Sequence, residues 1–267
     1  MIDHFPSLSI DGRRGDKSPV FRTIRAPGCQ SCLGINNGSM ATPRFFHPEL
    51  SPGRISLSDE ESAHAAKSRR LRFGDAVVLF DGQGHEAIGR LVSSNRRVDI
   101  EIENIQTIEW SGPRLTIATA IPKGSRQDAL IEKCTELSVW AIWGVAFARS
   151  VVKAGAVKKG KWTRTAIEAS KQCGRSWLPK LELPMTFDHL IARSPSFDQR
   201  LVGDPNAEPW GTDPLSGQTI LAVIGPEGGL TDAESSALHQ AGYRSVSWGR
   251  FVLRIETAAI AAAAVLR

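Results

Sequence analysis

Hydrophobic and polar positions change rhythm twice along this chain. Up to residue 40 no period is sustained. Gly, Ser, Pro and Arg dominate, and the stretch reads as a disordered extension. Met40 then opens MATPRFFHPEL, which has the form of a fresh N-terminus, so a second version has translation begin there. A peptide from 1–39 in mass spectra of the native protein excludes that version. From 41 to 108 the runs are short. SDEESAHAAK predicts a short helix, with Ser58 as N-cap and Glu61 three residues on, as in a capping box. AVVLFDG, HEAIGRLV and RVDIEIENI predict strands. In the last, Val98, Ile100, Ile102 and Ile105 roughly alternate with charged residues. Asp81-Gly82 and Gly84 supply turns. The segment predicts a small β-barrel or sandwich.

WSGPR at 110–114 reads as a linker. Beyond it, strand-like and helix-like runs alternate. RLTIATAI precedes RQDALIEKCTELSV, and AIWGVAFA precedes KWTRTAIEASKQCG. A short helical piece near 186–193 leads to QRLVGD, TILAVIG leads to DAESSALHQAG, and YRSVSW leads to the final helix. That order predicts an α/β domain with a parallel sheet covered on both faces. No internal repeat is visible.

Composition narrows the class. The 267 residues suffice for two domains, and 41% hydrophobic with 23% charged residues is a globular balance. No apolar run approaches the ~20 residues of a membrane helix, and no secretory core opens the chain, so the expected compartment is the cytoplasm. A net charge of +5 suits a polyanionic partner without specifying one. Cys29 and Cys32 form a C-x-x-C with no second pair to complete a zinc site, and read as incidental. Cys134 and Cys173 fall in predicted helices and read as reduced packing residues. Neither metal-ligand spacing nor a G-x-S-x-G nucleophile elbow is present.

Two C-terminal stretches carry the candidate chemistry. TILAVIGPEGG is a buried-type strand ending in a turn where Gly225, Gly228 and Gly229 admit close backbone approach and Pro226 stiffens the path. Thr231 and Glu234 then form a capping box. On glycines alone this is an ordinary strand–helix turn, and it is neither a P-loop nor a G-x-G-x-x-G. RFVLRIETAAIAAAAVLR sets Arg254 and Glu256 ahead of a helix with almost no polar face. Such a helix must be buried, and charges that open a buried helix point to function more than a surface ion pair does. Lys123, Arg126, Arg149, Lys153, Lys171 and Arg175 gather at loops. Each has a local explanation, such as Gly174 as a C′ residue beside Arg175, or the neighbouring Lys133–Glu136 pair. Together they fit a phosphate-tracking surface. Trp162 and Trp177 read as core rather than as stacking platforms.

In order, RFF at 44–46, H-x(5)-R-L-R-F-G-D at 64–75, K-x(2)-E-L at 133–137, RSVVK at 149–153, QCGR at 172–175, IGPEGGLT at 224–231 and LRIETA at 253–258 run through the chain. From about residue 43 to the end, it resembles the ribosomal RNA small subunit methyltransferase E family of the SPOUT superfamily. The resemblance implies a PUA-like RNA-binding barrel at 41–108 and a SPOUT methyltransferase domain at 112–267 with a deep trefoil knot. It also implies a homodimer, S-adenosylmethionine as methyl donor, and methylation of N3 of one uridine in 16S ribosomal RNA of the small subunit, with no membrane involved. The cofactor is then expected among three loops: Leu201, Val202 and Gly203; Ile224, Gly225, Pro226, Glu227, Gly228 and Gly229; and Val252, Leu253, Thr257 and Ala258. Arg254 is expected to stabilise charge spreading onto the uracil oxygens, with Glu227 and Glu256 orienting it or relaying a proton. Arg44, Arg70, Arg72, Lys123, Arg126, Arg149, Lys153 and Arg175 are the expected RNA contacts.

The chain departs from the family pattern at three places. Ile255 replaces a Thr, Ser68-Arg69 an apolar pair, and Asp204-Pro205 a His-Pro. Two other readings stay open. One is an RNA-binding protein of the same fold that has lost catalysis, for which Ile255 speaks. The other is a nucleotide-cofactor enzyme acting on a small molecule, against which the basic barrel speaks.

Overall fold

The computed structural model describes residues 42–68, 71–94, 97–152, 159–211 and 217–266. The stretch 1–40, Arg70 and Lys153 lie outside the described residues. The first sheet contains β1 (Arg44–Phe46), β2 (Gly53–Ser56), β3 (Ala76–Phe80), β4 (His85–Ser94) and β5 (Val98–Thr107), in the order β1-β3-β4-β5-β2. Among the described residues, its edge strands β1 and β2 do not pair with each other. With helix α1 (Asp59–Ser68) it encloses a core that includes Phe45, Leu57, Ala65, Val77, Leu79 and Ile100.

Ile105 breaks the alternation of β5 for a local reason. Ile88 pairs with Asn104 but Gly89 pairs with Ile102, which leaves Glu103 as an extra residue. That bulge reverses the phase, so Ile105, three residues after Ile102, packs partly on the same core. The Ser58 cap forms, with the Glu61 N–H donating to its Oγ at 3.1 Å. The Glu61 carboxylate does not complete the expected box. It accepts from the Phe46 N–H at 3.3 Å and pairs with Lys171 at 2.9 Å.

The second sheet contains β6 (Arg114–Ala120), β7 (Ala141–Ala146), β8 (Lys180–Thr186), β9 (Gln199–Gly203), β10 (Thr219–Ile224) and β11 (Arg244–Val246), all parallel, in the order β11-β9-β10-β6-β7-β8. After its first residue β6 is buried throughout, and so is β10. Strands without an exposed face have both faces covered. The helices are α2 (Arg126–Glu136), α3 (Lys159–Cys173), α4 (Phe187–Arg193), α5 (Asp232–Gln240) and α6 (Ile255–Val265). α2 packs on α3 and α6, and α4 on α5. Ala258, Ala259, Ala262 and Ala263 of α6 are buried, and their small side chains let the helix lie close to β6 and β10. β8 was not expected from the pattern. It holds Pro184 and lies at the sheet edge, where a missing N–H is tolerated.

Gly174 ends α3 at φ 80°, and its N–H and that of Arg175 both donate to the Ser170 carbonyl, at 3.0 and 3.1 Å. Cys134 is buried as expected, whereas Cys173 is exposed and not a packing residue. Trp162 is fully buried, with Nε1 donating to Gln127 at 3.1 Å.

The segment after α3 joins the two sheets. The Gly84 N–H donates to the Ser176 carbonyl at 3.1 Å, the Leu178 N–H to the Gly82 carbonyl at 2.9 Å, and Trp177 Nε1 to the Ile108 carbonyl at 2.7 Å. A Cβ on Gly84 would lie 2.4 Å from the Trp177 ring, and φ is +95° there, so the turn is glycine for two independent reasons. Arg44, expected on an RNA surface, belongs to this junction instead. Its guanidinium pairs with Glu86 at 2.8 Å and donates to Ser176 Oγ at 3.1 Å, with the side chain 15% exposed. Among the described residues, no helix is long and apolar enough to cross a membrane.

Candidate active site

β11, β9 and β10 are adjacent and parallel, so their carboxyl ends open onto one edge of the sheet, where ligands bind in open α/β folds. The loops that leave these ends converge on a cavity of about 590 Å³. Of the expected cofactor residues, Val202 and Gly203 line it from the first loop. Ile224, Gly225, Pro226, Glu227 and Gly229 line it from the second, and Val252, Leu253 and Ala258 from the third. The catalytic candidate Arg254 lines it as well. Leu201 instead lies behind the wall, fully buried, and Thr257 is exposed on α6 away from the lining.

Gly228 also turns away from the cavity. Its carbonyl and that of Leu230 accept from Arg149 Nη1 at 3.1 and 3.2 Å. Arg149 thus braces the glycine turn. The capping box of α5 braces it from the other side. Thr231 Oγ1 accepts from the Glu234 N–H at 3.2 Å, and Glu234 Oε2 accepts from the Thr231 N–H at 2.9 Å. Glu234 Oε1 further accepts from the Ala148 N–H at 2.8 Å, which ties the loop after β7 to the same turn.

Arg254 is the N-cap residue of α6, exposed, and its guanidinium has no partner among the described residues. Glu227 and Glu256 do not orient it as expected. Both face Arg126, at the start of α2, with Nη1 3.3 Å from Glu227 and 3.9 Å from Glu256. Glu256 is nearly buried and Oε2 makes no hydrogen bond among the described residues, while Glu227 remains on the cavity wall. Ile255 is 3% exposed and part of the main core, so its side chain extends the packing of α6.

Asp204, in the first of the three expected loops, lines the cavity too, and several lining residues escaped the sequence reading: Asn206, Asp232, Trp248 and Phe251. β11 ends at Val246, so Ser247 and Trp248, read as strand, belong to the loop. The Trp248 ring lies over Gly203, where a Cβ would come within 2.8 Å of Nε1. Trp248 Nε1 is buried with no hydrogen-bond partner among the described residues. The rule that the carboxyl ends of neighbouring strands share one cavity was a signal for all four.

The basic residues divide. Arg72 and Lys123 are exposed. Arg175 is not on a phosphate-facing surface: Nη1 and Nη2 donate to the Thr135 and Val139 carbonyls at 2.8 and 2.7 Å, at the C-terminal end of α2. Burial pushes its pKa down to about 10, which leaves it charged at neutral pH. Arg44, Arg126, Arg149 and Arg175 therefore hold protein groups together.

Known proteins resemble this chain in sequence and fold. The family model described as RNA methyltransferase domain matches residues 110–267, and the one described as RNA methyltransferase PUA domain matches 57–103. The second sheet is thus a SPOUT-type α/β domain and the first a PUA-like domain. The Bacillus subtilis ribosomal RNA small subunit methyltransferase E is 30% identical over 223 residues, covering 76% of this chain and 86% of that protein. The crystal structure of the Neisseria gonorrhoeae enzyme of that name, bound to S-adenosyl methionine, is 33% identical with a TM-score of 0.76, and the match covers 84% of this chain and 96% of the other. A putative methyltransferase from Legionella pneumophila, in complex with SAM, is 30% identical with a TM-score of 0.76 over 85% of this chain and 97% of the other. The chain belongs to the ribosomal RNA small subunit methyltransferase E family.

Proposed function

We propose that this protein transfers a methyl group from S-adenosylmethionine to N3 of a uridine in the 16S ribosomal RNA of the small subunit, in the cytoplasm and as a homodimer. The observation that carries the reading is Arg254, an unpaired guanidinium at a cavity formed where three parallel strands end. The residues of that cavity suit the cofactor. Its volume of about 590 Å³ lies within the ~300–1,000 Å³ of small-molecule sites. The loops around Gly203, Gly225 and Leu253 offer peptide groups to an adenine edge. Asp204, Glu227 and Asp232 offer carboxylates to ribose hydroxyls and to a cationic amine. When bound, S-adenosylmethionine supplies an electrophilic methyl on a sulfonium.

The rest is work for this chain's side chains. Uridine N3 carries a proton and becomes a nucleophile once that proton is gone. Arg254 faces the charge that then spreads onto the uracil oxygens, a fixed cation aimed where charge develops. In this reading Glu227, on the cavity wall, accepts the proton. Arg126 holds Glu227 there. Residues 41–108 hold the RNA, through Arg72 and neighbouring cations, and residues 112–267 carry the reaction. A trefoil knot in the last segment is part of this reading. It is supported by the strand order, in which β10 inserts between β9 and β6, both of which precede it in the chain.

The test incubates the purified protein with labelled S-adenosylmethionine and small ribosomal subunits from cells that lack this modification. The RNA is then digested and scored for 3-methyluridine. Its formation is the expected result. Cofactor binding without methyl transfer rejects the substrate, and absence of cofactor binding rejects the enzyme.

A further inference from the structure

Phe251 and Val252 are 74% and 82% exposed, yet both line the cavity that holds Arg254. They belong to the loop Gly249-Arg250-Phe251-Val252-Leu253-Arg254, between β11 and α6. Leu253 in that loop packs on the core, whereas Phe251 and Val252 face water at an energetic cost that a bound partner would remove. The Arg250 guanidinium carbon stands 5.6 Å from the centroid of the Phe251 ring. Neither Arg250 nor Arg254 has an ion-pair partner among the described residues. An exposed aromatic ring with one cation beside it and a second cation on the same cavity is a platform for a base on an anionic backbone. A second copy of this chain would also cover the ring. It would bring two more unpaired cations from a chain already at +5, so charge favours the polyanion.

We propose that Phe251 stacks on the uracil of the target nucleotide once that base has left its RNA stack, with Val252 beside it and the Arg254 guanidinium at its edge. This rests on the methyltransferase reading above. Base-tolerant stacking holds the ring, and Arg254 supplies the polar discrimination.

The experiment compares wild type, Phe251→Ala and Phe251→Tyr in methyl transfer to small ribosomal subunits. It also measures S-adenosylmethionine affinity by calorimetry and oligomeric state by sedimentation. Phe251→Ala is expected to lose about 10- to 100-fold in kcat/KM, and Phe251→Tyr, which keeps the ring, to recover it. Cofactor affinity and sedimentation are expected to stay at wild-type values in both. An active wild type with an equally active Phe251→Ala overturns the stacking role alone. A Phe251→Ala protein that sediments as a smaller species assigns the ring to a subunit contact and overturns it too. A wild type that binds cofactor but moves no methyl overturns the substrate assignment above, and this inference falls with it.

Discussion

Arg126 and Arg254 stand at the starts of two helices that pack on each other, yet only Arg126 has its charge matched, by Glu227 and Glu256. In the proposed mechanism this unmatched arginine answers a charge that forms during reaction. Arg254→Ala is therefore expected to lower single-turnover methyl transfer by about 100- to 1,000-fold while calorimetry finds cofactor affinity unchanged. A parallel loss of affinity would reassign Arg254 to cofactor binding. At Gly203 the constraint is steric, since a Cβ there meets Trp248 Nε1 at 2.8 Å. Gly203→Ala must displace the Trp248 wall and is expected to weaken cofactor binding about tenfold, or ~1.4 kcal/mol, with the fold intact by circular dichroism. The glycine turn and LRIETA were legible in the sequence because their chemistry lies in contiguous residues. Trp248 was not. Its position depends on where β11 stops and on a missing side chain 45 residues earlier.

Among the elements, α2 shows why a basic residue in a motif need not meet RNA. Arg175, from the turn that ends α3, donates to the Thr135 carbonyl in the last turn of α2 and to the Val139 carbonyl just beyond it. Arg175→Ala strands the Val139 carbonyl and removes one of two donors from that of Thr135, which keeps the Ser138 N–H. It is expected to cost about 2–4 kcal/mol in denaturant unfolding and to leave the salt dependence of RNA binding unchanged. A flattened salt slope without loss of stability would restore Arg175 to the RNA surface. α2 also buries Cys134, whose thiol burial pushes up from 9.0 to about 12. Between pH 9 and 12 the unfolded chain ionises this thiol and the folded chain does not, so its effect on stability becomes more adverse as pH rises through that window. At neutral pH, peptide mapping after alkylation is expected to find Cys173 labelled in the native protein and Cys134 only after unfolding. Helices with strong caps, such as α5, were readable from the sequence because each cap lies within four residues. The edge strand β8 and the bulge at Glu103 were not, since pairing across the sheet decides both.

At the scale of the whole molecule, the two sheets meet through charges that have left water. Lys171 of α3 and Glu61 of α1 pair at 2.9 Å with each side chain 7% exposed. Lys171→Met leaves the Glu61 carboxylate buried and opposed by little more than a backbone N–H. It is expected to cost about 3–5 kcal/mol. Glu61→Gln combined with Lys171→Met is expected to recover most of that loss in a double-mutant cycle by thermal unfolding, and additive losses would show that the pair is not coupled. Neither partner marked itself in the sequence. Glu61 read as half of a capping box and Lys171 as one loop cation among several, because their meeting is a property of the assembled chain. Arg44 with Glu86 and Ser176, and Trp177 over the Gly82–Gly84 turn, fasten the same seam.

That seam has a consequence for substrate choice. A seam sewn with buried ion pairs and glycine-only contacts is no hinge, so the span from the PUA-like sheet to the rim at Arg254 is set when the chain folds. The protein then works as a caliper of fixed gap. On the proposed function it is expected to methylate an RNA fold that already presents a backbone and a free uridine at the matching separation, and to leave the same nucleotide sequence unmodified when it is unfolded, which methyl transfer to folded and heat-unfolded RNA compares.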